Sequence, residues 1–426
     1  MVRILISLVT VATASLGAAM LHAQLVAPVG DTIRAVTRLP GEAIGEVTPP
    51  LTNSLNAIGA LAQERIARLR LFAEERRDAI ELDARGEPAV RGEVIAVDPP
   101  EAALRSAMAA GFAISRDERI EGLDIRSVTL RPPDGWSLRK AMAELRKIAP
   151  DGDFTPNHIH LPSGVTPPDA IDAPLATGDV GAAPIGLIDG GVARHPAIGA
   201  AEQRGFARGA PIASSHGTAV ASLIAGKGAV RGGSPGAALI VADVYGRDPA
   251  GGNAAAIARA IGWMAARRVA VVTISLVGPA NPLLARAVTV AQARGMHIVA
   301  AVGNDGAAAP PADPASYPGV IAVTGVDGRD RPLIEAGRAL HLDYAAPGAD
   351  MAAASPNGRL TPVRGTSFAA PLVAGRLASV YPASIPARRA AALAALDREA
   401  RDLGKRGPDK LFGRGLICGD CRTALR

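Results

Sequence analysis

Between residues 184 and 330 the chain repeats one pattern: a short apolar run without polar alternation, then a segment with helical spacing. The runs are "PIGLID", "ALIVADVYG", "VAVVTISL", "MHIVAAVGN" and "GVIAVTGV". A strand with one face in water alternates apolar and polar residues, whereas a strand buried on both faces has no reason to. The segments between them, "HGTAVASLIAGKG", "GGNAAAIARAIGWMAARR" and "NPLLARAVTVAQARG", read as helices. Parallel strands need crossovers of about a dozen residues, and helices of this length supply them. The fold class that follows is α/β, built on a parallel sheet.

In such sheets the working residues collect at the carboxyl ends of the strands. Asp189 ends the first run, His216 opens the next helix, and Asn304 ends a later strand. Ser367, in "VRGTSFAAPLVAG", stands at the start of an Ala-rich helix that holds Pro371 four residues on. Proline is tolerated near a helix start and costly further in. A serine there is ordinarily an N-cap; its company argues for more. A hydroxyl is a poor nucleophile until a base takes its proton, and histidine is the side chain suited to that near neutral pH. A buried aspartate holds the imidazole in one tautomer. An amide and a backbone N–H at a helix start can meet the oxyanion that follows attack.

The segments "IGLIDGGV", "HGTAVASLIAG", "AAVGNDG" and "GTSFAAPLVAG", in the order Asp, His, Asn, Ser, resemble the subtilisin-like serine peptidases, or subtilases. "GGSPGAALIVADVYG", "VVTISLVGPAN", "ASYPGVIAVTGVD", "LDYAAPGAD" and "GPDKLFGRGLI" agree, so the likeness covers residues 184–417. It implies a serine endopeptidase working through an acyl-enzyme, with Asp189, His216 and Ser367 as triad and Asn304 at the oxyanion. Extended protein or peptide substrates would add a strand beside Ser275, Leu276, Val277 and Gly278 and beside Ala300, Ala301 and Val302. No cofactor or metal is required; calcium enters only as a habit of the family. The sequence departs from the common pattern at Gly190, Ala219, Val277, Phe368 and Ala370. None of these removes a catalytic group, but Val277 adds bulk where glycine is usual. Two other readings are a narrow maturation protease for one partner protein and a peptide-binding pseudo-peptidase.

Upstream, residues 91–163 read as β-α-β-β-α-β: "GEVIAVD", "PEAALRSAMAAG", two strands about Glu121-Gly122, "SLRKAMAELRKIAP" capped by Ser137, and "GDFTPNHIHLP". This is a small α+β, ferredoxin-like arrangement. Its layout is similar to subtilase pro-domains, which implies a self-processed precursor whose own pro-domain inhibits it intramolecularly, and a monomer. His158 and His160 alternate on the last strand, with no third metal ligand nearby. Residues 164–183 form a Pro/Gly-rich connector. Residues 24–90 read as a linker followed by one amphipathic helix from Ser54 to Arg85, its charges a solvated face.

Arg3, the apolar stretch from Ile4 to Leu21 and the small Ala19 and Ala23 make residues 1–23 a signal peptide, with an uncleaved anchor as the alternative. The expected location is secreted or periplasmic. The formal charge of +6 comes almost wholly from arginine, and no basic run is interleaved with aromatics, which argues against nucleic acid as a partner. Cys418 and Cys421 lie in the tail, residues 418–426, as a disulfide or as free thiols.

Overall fold

The computed structural model describes residues 49–162 and 169–425, with side chains from residue 59 on. The signal peptide at 1–23, the linker up to 48 and the first part of the connector lie outside the described residues. The chain divides into residues 1–60, of which only the start of one helix is described, and a compact unit of residues 61–426. Among the described residues no helix is long and apolar enough to cross a membrane.

The apolar runs form the interior of a seven-stranded sheet. Its order is Tyr344–Pro347, Ile321–Val326, His297–Ala301, Val271–Ile274, Ile185–Asp189, Leu239–Asp243, Ala201–Gly205. Every pairing in it is parallel. Successive residues of each strand feed opposite cores. Ile188, Ile240, Ile298 and Ala300 pack with helices Ala254–Ala266 and Pro282–Ala293. Leu187, Val241, Val299 and Ala301 face the other way, towards helices Ser215–Ala225 and Ala370–Val380. Both faces are covered, which is why the runs lack polar alternation.

The N-terminal region builds a smaller antiparallel sheet. Strand Pro88–Val97 lies between Ile125–Arg131 and Phe154–His158, and Ala113–Ile120 flanks Ile125–Arg131. Helices Glu101–Ala109 and Leu138–Ile148 cover one face through Leu104, Leu138, Met142 and Leu145. Ser137 caps the second helix by accepting from Lys140 N–H. The other face sets Ile95, Val97, Leu123 and Ile125 against the helices Ala254–Ala266 and Pro282–Ala293. At its edge the turn at Gly122 meets helix Ala254–Ala266 backbone to backbone. A Cβ on Gly122 would lie 2.3 Å from Gly262 O, and one on Gly262 would lie 2.3 Å from Glu121 O.

Three expectations are corrected here. The amphipathic helix runs Pro49–Glu75 and does not reach Arg85; Ile80–Leu82 is a strand paired with Pro88–Val90. A boundary at residue 91 therefore cuts through strand Pro88–Val97. The charges of the helix are not simply solvated: Arg65 bonds Glu87 and Asp305, and Arg68 bonds Asp305. In the tail, Cys418 and Cys421 are joined as a disulfide.

Candidate active site

Asp189 is the last residue of a central strand and is fully buried. Its Oδ1 accepts from Gly190 N–H at 2.7 Å. Both carboxylate oxygens lie 2.9 Å from His216 Nδ1. His216 stands in the first turn of helix Ser215–Ala225, which starts there because the Ser214 hydroxyl accepts from Gly217 N–H at 2.9 Å. With Nδ1 facing the carboxylate, Nε2 is turned away from it. That nitrogen is buried and has no hydrogen-bond partner among the described residues.

Ser367 lies in the 3₁₀ turn Thr366–Phe368, just before helix Ala370–Val380, with Pro371 in that helix's first turn. The serine is not an N-cap, since the α-helix starts three residues later without a side-chain cap. Its Oγ donates to Ser275 O at 3.3 Å, and Ser275 Oγ donates to Ser367 O at 3.0 Å. The neighbouring Phe368 ring is 5.5 Å from the His216 imidazole, which brings the serine turn and the histidine helix together.

Asn304 approaches the same turn from the strand His297–Ala301. Its Oδ1 accepts from Thr366 N–H at 2.9 Å and from the Thr366 hydroxyl at 3.2 Å. This fixes the amide plane and leaves Nδ2 as the outward donor. Gly365, at φ +134, makes the approach possible: a Cβ there would stand 2.7 Å from Asn304 Nδ2. The four residues singled out by the sequence thus come from four separate strand ends and helix starts to one place.

The residues expected to bind substrate divide. Leu276–Val277 pairs antiparallel with Leu161–Pro162, the end of the N-terminal region, with Val277 opposite Leu161. Gly278 exchanges both backbone bonds with Asp313. A side chain on Gly278 could not coexist with His160, whose ring would lie 2.6 Å from its Cβ. Ala300, Ala301 and Val302 do not offer a strand edge. Ala300 is paired with Ile274 on one side and Ala322 on the other, Ala301 with Val323, and Val302 N–H donates to Val323 O. A sheet interior has no free ladder to extend, so this expectation is corrected.

The second wall lies elsewhere, and sequence reasoning missed it. His160 N–H donates to Gly252 O at 2.8 Å, Ile159 bridges Asn253, and the Tyr245 hydroxyl donates to His160 O at 2.7 Å. Residues 159–162 thus lie between 252–253 and 276–277. Burial pushes His160 down to about 3, so its ring is neutral. His158 points elsewhere, to Asp83 and Asn281, and the two histidines share no ligand geometry. Asp243, at the end of the next strand, was also missed although "ALIVADVYG" ends in aspartate as "PIGLID" does.

The subtilase family pattern matches residues 185–415, more than half of the chain. The alkaline protease of Alkalihalobacillus alcalophilus is 29% identical over 313 residues, covering 71% of this chain and 80% of that protein. Subtilisin BL of Lederbergia lenta is 30% identical over 246 residues, 56% of this chain and 90% of that protein. Fervidolysin from Fervidobacterium pennivorans, a keratinolytic enzyme, shares the fold with a TM-score of 0.60 at 18% identity, over 80% of this chain and 62% of that one. With the parallel sheet and the Asp189–His216 pair beside Ser367, these matches make the chain a member of the subtilase family of serine endopeptidases.

Proposed function

We propose that this subtilase is an exported endopeptidase, made as a precursor that processes itself, with Asp189, His216, Asn304 and Ser367 as its catalytic residues. One observation supports the reading above all others. The chain leaving the small N-terminal sheet lies extended between residues 252–253 and 276–277, strand-paired as a bound peptide would be. Tethered in this way it inhibits at high effective concentration.

In the reaction the Ser367 hydroxyl turns from Ser275 O to His216 Nε2, gives up its proton there and attacks the scissile carbonyl carbon. Negative charge develops on the carbonyl oxygen, where Asn304 Nδ2 and Ser367 N–H donate to it. Collapse breaks the C–N bond, and His216 returns the proton to the leaving amine. Water, deprotonated by the same nitrogen, then releases the acyl group and restores Ser367. Asp189 keeps Nδ1 protonated throughout.

The test is the full chain carrying Ser367→Ala. Turnover falls by about 10⁶, and the variant stays full length while the wild type is cut between His160 and Val180. Retention of more than a few per cent of activity, or processing of the variant in isolation, refutes the assignment.

A further inference from the structure

In helix Pro49–Glu75, Leu61, Arg65, Arg68 and Phe72 follow one another at spacings of four, three and four residues, which sets them on one face. At one end of this stripe Leu61 lies against Gly306, where a Cβ would meet its Cδ1 at 3.0 Å. At the other end Leu69, Phe72 and Ala73 share a buried cluster with Ile80, Ile159 and Leu161. Between the apolar ends the arginines meet carboxylates. Arg65 Nε donates to Asp305 Oδ2 at 3.1 Å, and Arg68 Nη2 donates to Asp305 Oδ1. Arg65 Nη2 donates to both oxygens of Glu87, at 3.0 and 2.8 Å. One guanidinium thus joins the loop after strand His297–Ala301 to the turn before strand Pro88–Val97.

The Glu87 turn leads on to residues 159–162. Glu87 N–H donates to Asp83 Oδ1 at 2.9 Å, and Asp83 Oδ2 lies 3.2 Å from His158 Nε2, at the end of strand Phe154–His158. The N-terminal region is therefore attached to the part built on the seven-stranded sheet in two places. One is the small sheet with residues 159–162; the other is the helix on Asp305 and Gly306. Other ion pairs cross the same junction in a different setting. Arg204 and Glu121 lie 3.2 Å apart with side chains 50% and 58% exposed, whereas those of Arg65, Glu87 and Asp305 are 16%, 10% and 13% exposed. An exposed pair contributes little. Without Arg65, Glu87 would be buried with no cation among the described residues, and Asp305 would keep only Arg68. That state is costly for as long as the helix stays in place.

We infer that Asp305, Gly306 and Glu87 form an interaction surface for the basic face of this helix, and that the helix clasps the N-terminal region in place after the connector is cut. The inference rests on the precursor reading above for its purpose, but its test does not use the chain's own cleavage. Two attachments on one fragment support each other: when one opens, the other keeps it at high effective concentration. A cut in the connector therefore leaves the fragment bound. Arginine suits position 65 better than lysine, because its planar fork reaches two carboxylates at once, whereas an ammonium is a single point of charge.

The experiment uses the full chain carrying Ser367→Ala, with the recognition sequence of a site-specific protease inserted after Val165. The chain is nicked there, diluted, and the release of its fluorescently labelled N-terminal fragment is timed by size exclusion. Arg65→Gln speeds release by about thirtyfold or more, as expected for truncating one partner of a buried, hydrogen-bonded charge pair. Arg204→Gln, which removes the exposed pair across the same junction, changes the rate by less than about fivefold. Arg65→Lys falls between the unsubstituted chain and Arg65→Gln. Should Arg65→Gln fail to fold, Arg65→Lys and Arg68→Gln carry the test, each releasing the fragment at least about fivefold faster than the unsubstituted chain. Release from the Arg65 and Arg68 variants at the unsubstituted rate, or no faster than from Arg204→Gln, overturns the inference. Slow release that depends on Arg65 supports the clasp even where the chain with Ser367 intact never cuts itself, a result that would bring down the precursor reading alone.

Discussion

Asp189 and Asp243 end adjoining strands and stand opposite each other in the ladder, both fully buried, yet their surroundings differ. Asp189 has one backbone donor and directs both oxygens at the His216 imidazole. Asp243 is held by three backbone donors: Ile212 N–H at 2.8 Å to one oxygen, Tyr245 and Gly246 N–H at 2.9 Å to the other. Burial still pushes the Asp243 carboxyl up, and the charge of Asp189 adds to that push. A place at the carboxyl edge of a parallel sheet therefore does not by itself fit an aspartate for the proposed catalytic role. The partner decides, because an imidazole can pass a proton onward and a backbone amide cannot.

The largest expected effect on this contrast is that of Asp189→Asn. The amide preserves shape but favours the wrong imidazole tautomer, and turnover drops by about 10⁴ while thermal unfolding of the chain changes little. If Asp243→Asn cut turnover as deeply, the distinction between the two would collapse.

A third aspartate sharpens the contrast: among the described residues it has neither kind of partner. Asp313 is 6% exposed, and burial alone pushes its carboxyl up to about 7. An unfolded carboxyl titrates near 4, so between these values the folded state binds more protons than the unfolded one. Stability then falls as pH rises from about 4 to about 7 and levels off above, by an amount of the order of a few kcal/mol. Melting curves of the Ser367→Ala chain across this range would reveal the slope, and Asp313→Asn should remove it. A slope of the opposite sign would mean that Asp313 has a cationic partner when folded.

The smallest effect belongs to Asp243→Asn. One amide oxygen cannot replace two charged ones for three N–H donors, which costs about 1–3 kcal/mol of stability, seen as a lower midpoint in urea. Turnover should remain within about tenfold of wild type.

The parts of this molecule that could be read in advance were those written in side chains. Buried strands announce themselves as unbroken apolar runs, and Asp189, His216, Asn304 and Ser367 each carry a polar group at a strand end or helix start. The wall at Gly252 and Asn253 carries no such mark: it acts through a glycine carbonyl, and "GGN" reads equally well as a helix start. The run at 297–302 was recognisable as a strand, but nothing local could tell that both its edges were taken. The end of the first helix failed for the same reason. Ile80 continues the helical spacing, and only the distant Val90 makes it a strand. The partners of Arg65 and Arg68 were equally out of view, since Asp305 lies more than two hundred residues away.

The turn at Gly122 and the helix at Gly262 hold the small sheet against the helices of the larger sheet through two positions with no side chain at all. Contact by absence has a consequence for anyone who would diversify this protein. Every missense codon change from glycine adds at least one carbon where the opposing carbonyl already sits, so neither position has a neutral neighbour in sequence space. A random library selected for the folded chain should therefore leave these two codons almost untouched.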